Sequence, residues 1–314
     1  MAFEAKTQAF SSSIAKVTIG TGDKAVTIGG VNVLPFYSFD AAIENAPKIG
    51  VEITDAGLEA YPQPGLKEFY AGCDTPAQMA KRAESMPGVS FICLHLEGAD
   101  PNGENKSVEE CVEIAKSVSE ATDLPLVIMG CKNVEKDAEL FTKISEALQG
   151  KNILVLSARE ENYKTVGASA ALAYNQKVGA ESAVDINLAK QLNVLMTQLG
   201  VAPSSIVMNV GSAAAGYGYE YVASTLDRVR AAALAQSDTQ LQMPIMTPVS
   251  TETWGVKESM ASEADVPEWG SAEERGIEME ITTASACLVG GSDAVIMRHP
   301  AAIKAISDMI AALV

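Results

Sequence analysis

"VMNVGSAAAGYGYEYVASTLDRVRAAAL", residues 207–234, decides the fold. It opens on an apolar run, bends through glycines at 211, 216 and 218, and closes in a helical pattern. A short, continuously apolar run followed by a turn and an amphipathic stretch reads as one β–α unit. The same unit recurs along the chain. KIGVEI (48–53), VSFICLHL (89–96), LPLVIMG (124–130), NILVLSA (152–158), KVGAES (177–182), SIVMNVG (205–211), MPIMTPV (243–249) and DAVIMRH (293–299) are the strand candidates. Most are apolar throughout, as expected of strands covered on both faces. Helical periodicity fills each gap, from PAQMAKRAESM after the first strand to AAIKAISDMIAAL near the end.

Eight strands, each followed by a helix, predict an α/β fold of the TIM (β/α)8 barrel type. A doubly wound sheet is disfavoured, because no G-x-G-x-x-G follows the first strand and no Walker A motif occurs. Upstream, KVTIG (16–20) and KAVTIG (24–29) flank Thr21-Gly22-Asp23, the pattern of a β-hairpin. The expected organisation is an N-terminal extension, 1–46, whose hairpin closes the barrel base, followed by a single barrel domain over 47–314.

Composition narrows the function. Of 314 residues, 23 are Lys or Arg and 40 are Asp or Glu, a net charge of −17. Such a surface repels phosphate backbones and anionic lipid, so neither nucleic acid nor a membrane is an expected partner. No apolar run approaches the roughly 20 residues of a membrane helix. No basic-then-apolar leader stands near Met1, so a cytoplasmic protein is expected. The five cysteines, at 73, 93, 111, 131 and 287, form no Cys-x-x-Cys pair. A disulfide framework, an iron–sulfur cluster and a structural zinc are therefore not expected on this chain.

In a barrel of this kind, function sits on the loops after the strands. There the sequence places Asp55, His95, Glu97, Cys131, Lys132, Asn133, Glu135, Asp137, Asn209, Thr247, Trp254, Glu258, Trp269, Arg298 and His299. His95 and Glu97 read either as an acid/base pair or as a polar rim. Asp55 reads as a hydroxyl ligand or a cap. Cys131 has no basic partner in sequence and reads as a packed thiol. Asp137 and Glu135 suit the first turn of a helix, and Asp185 suits an N-cap. The turn Gly216-Tyr217-Gly218 opens a helix, where free amides favour an anion and glycines permit close approach, or merely allow a tight bend. No serine elbow, Schiff-base lysine frame or metal triad appears, so catalytic and metal-ligating residues are not expected.

Several stretches together resemble one family. VTIGG (26–30), GCKNVEKD (130–137), DINLAKQLN (185–193), GYGYEY (216–221), LDRVRAAAL (226–234), MPIMTPVSTETWGVKES (243–259) and RHP (298–300) are similar to the small (delta) subunit of the corrinoid iron–sulfur protein of the acetyl-CoA synthase/carbon monoxide dehydrogenase system. The resemblance implies a non-catalytic barrel paired with a large subunit that carries the four-iron four-sulfur cluster and the corrinoid (cobalamin) domain. It implies a corrinoid at the subunit interface, shielded by the barrel top. The pair would accept a methyl group from methyltetrahydrofolate through its methyltransferase and pass it to acetyl-CoA synthase. Asn209, Gly216, Tyr217, Gly218 and Thr247 are the expected contacts to the corrin edge, whose amides suit neutral polar groups. An acidic residue is usual in the family where this chain has Asn209. Two alternatives stand beside this reading. One is a stand-alone pterin-dependent methyltransferase using Asp55, Asn133 and Asn209. The other is an aldolase-like barrel using Lys132.

Overall fold

A computed structural model describes residues 6–314. The hairpin strands β1 (Val17–Ile19) and β2 (Val26–Ile28) pair antiparallel. Eight further strands follow: β3 (Lys48–Thr54), β4 (Val89–His95), β5 (Leu126–Met129), β6 (Leu154–Ala158), β7 (Lys177–Glu181), β8 (Ile206–Asn209), β9 (Met246–Pro248) and β10 (Ala294–Met297). Their order, β8-β7-β6-β5-β4-β3-β10-β9, is parallel throughout. The cylinder closes between β8 and β9 through a single parallel bridge, Met208 to Ile245, with the Met208 amide donating to Pro244 at 2.8 Å. This is the (β/α)8 barrel expected from the repeat, with the antiparallel hairpin ahead of it.

Eight helices, one after each strand, cover the cylinder: α1 (Pro76–Ala83), α2 (Val108–Ala121), α3 (Val134–Ala147), α4 (Tyr163–Val166), α5 (Ile186–Leu199), α6 (Tyr219–Arg230), α7 (Ala272–Gly290) and α8 (Pro300–Leu313). Their starts follow local capping chemistry. Thr75 and Ser107 form reciprocal capping boxes with Gln78 and Glu110. Asp185 accepts the amides of Asn187 and Leu188, the N-cap role read from sequence. Helices α4 and α6 differ from a simple 3.6-residue pattern, since each continues as a π-helical segment, Gly167–Ala173 and Ala231–Ala235. A short helix, Pro64–Phe69, also interrupts the β3–α1 connection, where the sequence carries too few periodic positions to announce it.

Side chains alternate along each strand, so the barrel has two cores. Phe91 and Cys93 of β4, Val127 of β5, Leu154 of β6, Val207 of β8, Met246 of β9 and Ile296 of β10 fill the interior. Ile92, Leu94, Ile128, Val155, Met208 and Val295 face the helices. At Gly50 the interior is so crowded that an added Cβ would lie 2.0 Å from the Phe91 ring, so the aromatic fills what a side chain would occupy. The hairpin inserts Val17, Ile19 and Ile28 into the same interior cluster from below. Asn152, just ahead of β6, holds it there: its side-chain amide donates to the carbonyls of Thr18 and Gly20, both at 2.9 Å.

Candidate functional site at the barrel mouth

Strand parity also dictates what stands at the open end. Ile49, Val51 and Ile53 of β3 face the helices, so Glu52 and Thr54 face inward. The parity of β4, β8 and β10 likewise turns His95, Asn209 and Arg298 toward the upper interior. The lower layers are apolar and the upper layer is polar.

Glu52 is the centre of that layer. Its side chain is completely buried and accepts from Arg298 Nε at 3.2 Å and Nη2 at 3.0 Å. Its other oxygen lies 2.8 Å from His95 Nδ1. Burial alone would raise the Glu52 carboxyl, but the Arg298 guanidinium and the His95 hydrogen bond outweigh it and hold the group well below the usual carboxylate range. Arg298 is pinned from a second side, its guanidinium 5.0 Å from the centroid of the Tyr61 ring. Behind it, the fully buried Glu280 of α7 accepts the backbone amides of Arg298 at 2.6 Å and His299 at 3.0 Å. Burial pushes the Glu280 carboxyl up to about 7, against the pull of those two amides and of Arg298. His299 donates from Nε2 to Glu273 (3.1 Å) while its Nδ1 accepts the Ala301 amide and so caps α8.

Two clefts open over this layer and share Lys132 and Thr251 on their walls. The wide one, about 750 Å³, is lined by His95, Glu97, Asp100, Glu104, Trp254 and Arg298 among others. The narrow one, about 90 Å³, holds Asn209, Ser157, Arg159, Glu181 and Asp137. Across it Arg159 Nη2 pairs with Glu181 at 2.8 Å, and Asn209 Nδ2 donates to Ser157 Oγ at 3.0 Å.

The residues expected at the site from sequence separate into three groups. Asn209 lies inside the narrow cleft, its Oδ1 accepting the Gly211 amide at 3.1 Å. The Gly216-Tyr217-Gly218 turn lies on the same face but lines neither cleft. Gly216 and Gly218 hold φ of +88° and +83°, which accounts for both glycines, and a Cβ on Gly216 would meet nothing within 4 Å. Tyr217 is 48 % exposed and its hydroxyl donates to Glu258 at 2.5 Å. Thr247 is elsewhere. It is fully buried on the helix side of β9, its hydroxyl 2.7 Å from that of Ser292. The physical reason is parity: its neighbour Met246 faces the interior, so Thr247 cannot.

Other sequence readings resolve in the same way. His95 and Glu97 do not pair with each other, because β4 ends at His95 and Glu97 enters a 3₁₀ turn, where it accepts from the Thr54 hydroxyl. Asp55 accepts the Gly98 amide at 3.0 Å and Lys106 Nζ at 3.1 Å, which ties the β3 and β4 loops together. Asn133 caps α3 through the Lys136 amide. Cys131 is a packed thiol, its Sγ 3.3 Å from Asp137, with burial and that carboxylate pushing it up to about 12. Lys132 is exposed and 3.8 Å from Glu252. The pairing of Glu52 with Arg298, the role of Ser157 and the buried Glu280 were not read from the sequence. The available signal was a glutamate inside an otherwise apolar strand, KIGVEI, with an arginine at the end of the strand that proves to be its neighbour.

Fold and site together define a (β/α)8 barrel with a plugged base and a polar, charge-paired mouth. Solved structures of dihydropteroate synthases share this architecture. The Xanthomonas albilineans enzyme with 4-aminobenzoic acid superposes at a TM-score of 0.56 and 12 % identity over 95 % of this chain and 98 % of that one. The Thermus thermophilus enzyme in complex with 6HMPPP gives 0.53 and 13 % over 95 % and 100 %. At such identities the likeness is one of fold.

The chain belongs to the CO dehydrogenase/acetyl-CoA synthase delta subunit family, whose model matches residues 16–309. It is 31 % identical over 295 residues to the acetyl-CoA decarbonylase/synthase complex subunit delta of Archaeoglobus fulgidus, covering 92 % of this chain and 64 % of that protein. Against subunit delta 1 of Methanosarcina thermophila the figures are 32 %, 92 % and 66 %. Against subunit delta of Methanothermobacter thermautotrophicus they are 31 % over 309 residues, 98 % and 77 %. The chain thus spans about two thirds of the length of the first two relatives. Among the described residues, no helix is long and apolar enough to cross a membrane.

Proposed function

We propose that this barrel is the small subunit of a two-subunit corrinoid methyl carrier, with its mouth serving as the cover of a corrinoid held by a large partner subunit. The observation that carries the proposal is the wide cleft of about 750 Å³ at the C-terminal face of a barrel whose relatives bear the names of subunits of a larger complex. Tyr217, Tyr221 and Met260 stand exposed on the same face, an uncommon grouping for a free surface and a suitable edge for a broad ring. The neutral polar and backbone groups of Asn209, Ser157 and the 216–218 turn suit the amides of a corrin rim. Among the described residues no three His, Cys, Asp or Glu side chains are grouped to hold a metal.

When bound, the corrinoid would supply a cobalt that carries a methyl group from a methyltetrahydrofolate-dependent methyltransferase toward acetyl-CoA synthase. The four-iron four-sulfur cluster would reside on the large subunit. This chain's part is to position the ring edge and to exclude water from the mouth. Glu52, with Arg298 and His95, links β3, β10 and β4 across the upper layer.

Co-purification tests the proposal. The expected result is a stable complex with one larger chain that carries both cobalt and iron. The proposal fails if this chain alone retains stoichiometric corrinoid and turns over methyltetrahydrofolate. A second reading, a barrel that binds a pterin itself, draws support from the narrow cleft around Asn209 and Ser157. It is weakened by Asp55 and Asn133, whose polar atoms are already engaged. Calorimetry with methyltetrahydrofolate at millimolar concentration decides it, since the absence of heat removes that reading.

A further inference from the structure

Among the described residues, His95 lines the wide cleft, is held by a buried charge and keeps a second ring nitrogen without a hydrogen-bond partner. Its side chain is 9 % exposed. Glu52 takes Nδ1 at 2.8 Å, and the second oxygen of Glu52 is occupied by Arg298. In the neutral ring an ionised carboxylate at Nδ1 fixes the hydrogen there, which leaves Nε2 as a lone-pair acceptor. Nε2 is on the far edge of the ring, on the wall of the cleft, without a hydrogen-bond partner among the described residues. An acceptor on the wall of an open cleft is available to a donor that enters it.

The surroundings select which donor. Glu59, Glu97, Asp100 and Glu104 line the same cleft. The cations nearby are already committed: Arg298 to Glu52, Lys106 to Asp55 and Glu104, and Lys132 leans toward Glu252. The local field is negative, so a carboxylate or phosphate is repelled while a neutral N–H donor is accepted.

We infer that His95 Nε2 is the docking point for a primary carboxamide N–H of the ligand covering the mouth, and that the carboxylates around it exclude acid-bearing counterparts. This rests on the corrinoid reading above, which makes the carboxamide one of those on a corrin rim. Glu52 and Arg298 are positioning residues, since they act only through the histidine.

The chain has only two histidines, which makes the test direct. The complex of the full chain with its large partner, labelled with ¹⁵N-histidine in this chain, is titrated with dicyanocobinamide. Cobyrinic acid, whose rim carries carboxylates, is the matched probe. The expected result is a shifted Nε2 resonance for His95 with His299 unmoved, and cobyrinic acid binding at least about tenfold more weakly than cobinamide. His95→Ala should weaken cobinamide by on the order of tenfold, the worth of one hydrogen bond. His95→Gln, which returns an acceptor near the Nε2 position, should lose less than about threefold on the same scale. If cobinamide binds while the His95 resonance stays still, or if His95→Ala binds it as tightly as the wild type, the inference is overturned and the corrinoid reading stands. If the mouth residues of this chain show no response to cobinamide in the complex, the corrinoid reading falls and takes the inference with it.

Discussion

Replacing Arg298 by methionine tests the physical core of the mouth. Methionine keeps much of the volume and removes the charge. Glu52 then loses both guanidinium bonds, at 3.2 and 3.0 Å, and keeps only His95. Its side chain has no exposure, so water cannot replace the lost partner. Removing one member of a buried pair costs roughly 3–5 kcal/mol. The Tyr61 ring, 5.0 Å from the guanidinium, adds about 1 kcal/mol of lost cation–π attraction. Arg298→Met should therefore lose about 4–6 kcal/mol in urea unfolding followed by the fluorescence of Trp254 and Trp269. The double variant Glu52→Gln/Arg298→Met, with no buried charge left alone, should return to within about 2 kcal/mol of the wild type. The pH dependence has a definite sign. The Glu52 carboxyl is depressed in the folded protein, so its stabilisation is present above its ordinary value of 4.5 and is lost as the pH falls toward the folded value. In Arg298→Met the unpaired carboxyl is raised instead, so the gap between variant and wild type should narrow as the pH is lowered below about 5. A loss under about 1 kcal/mol, or a double variant no more stable than the single one, would refute the reasoning.

Three further outcomes are expected. Glu280 should titrate near 7 by ¹³C-detected carboxyl NMR. Because this carboxyl is raised, its contribution to stability is present at low pH and is lost as the pH rises from about 4.5 toward 7; a midpoint at about 5 or below contradicts the burial argument. All five cysteines are buried, so the native protein should react with DTNB at neutral pH only as slowly as it unfolds, and a rapid equivalent at Cys131 would count against its raised thiol. Ile19→Ala, which withdraws the hairpin's plug from the barrel interior, should cost about 2–4 kcal/mol in the same urea assay; a change under about 0.5 kcal/mol would mean that the hairpin does not support the interior.

Much of the fold was legible because each strand is a short apolar run bounded by turn residues, and several helices carry their own side-chain caps. The strands read from sequence fall within a few residues of those in the structure, from Lys48–Thr54 to Ala294–Met297. The cap at Asp185 acts over two or three residues, so sequence alone places it. The short helix Pro64–Phe69 escaped because six residues cannot show a period. Candidate site residues fared unevenly for a related reason. Thr247 looked available because it ends an apolar run, yet which face a strand residue occupies depends on the register of the whole sheet. Of the two readings of His95 and Glu97, the acid/base pair required the strand to continue past His95, and it does not.

The sequence by itself determined that this chain is an eightfold β–α repeat behind a hairpin, acidic overall, with its chemistry confined to the strand ends. Those are properties of periodicity and composition, which act over a few residues. Only the tertiary structure decided that Glu52, His95 and Arg298 meet. They come from β3, β4 and the end of β10, and closing the cylinder is what brings positions 246 residues apart to 3.0 Å. A buried carboxylate is tolerable there only because closure delivers its counter-charge, and no local pattern records that.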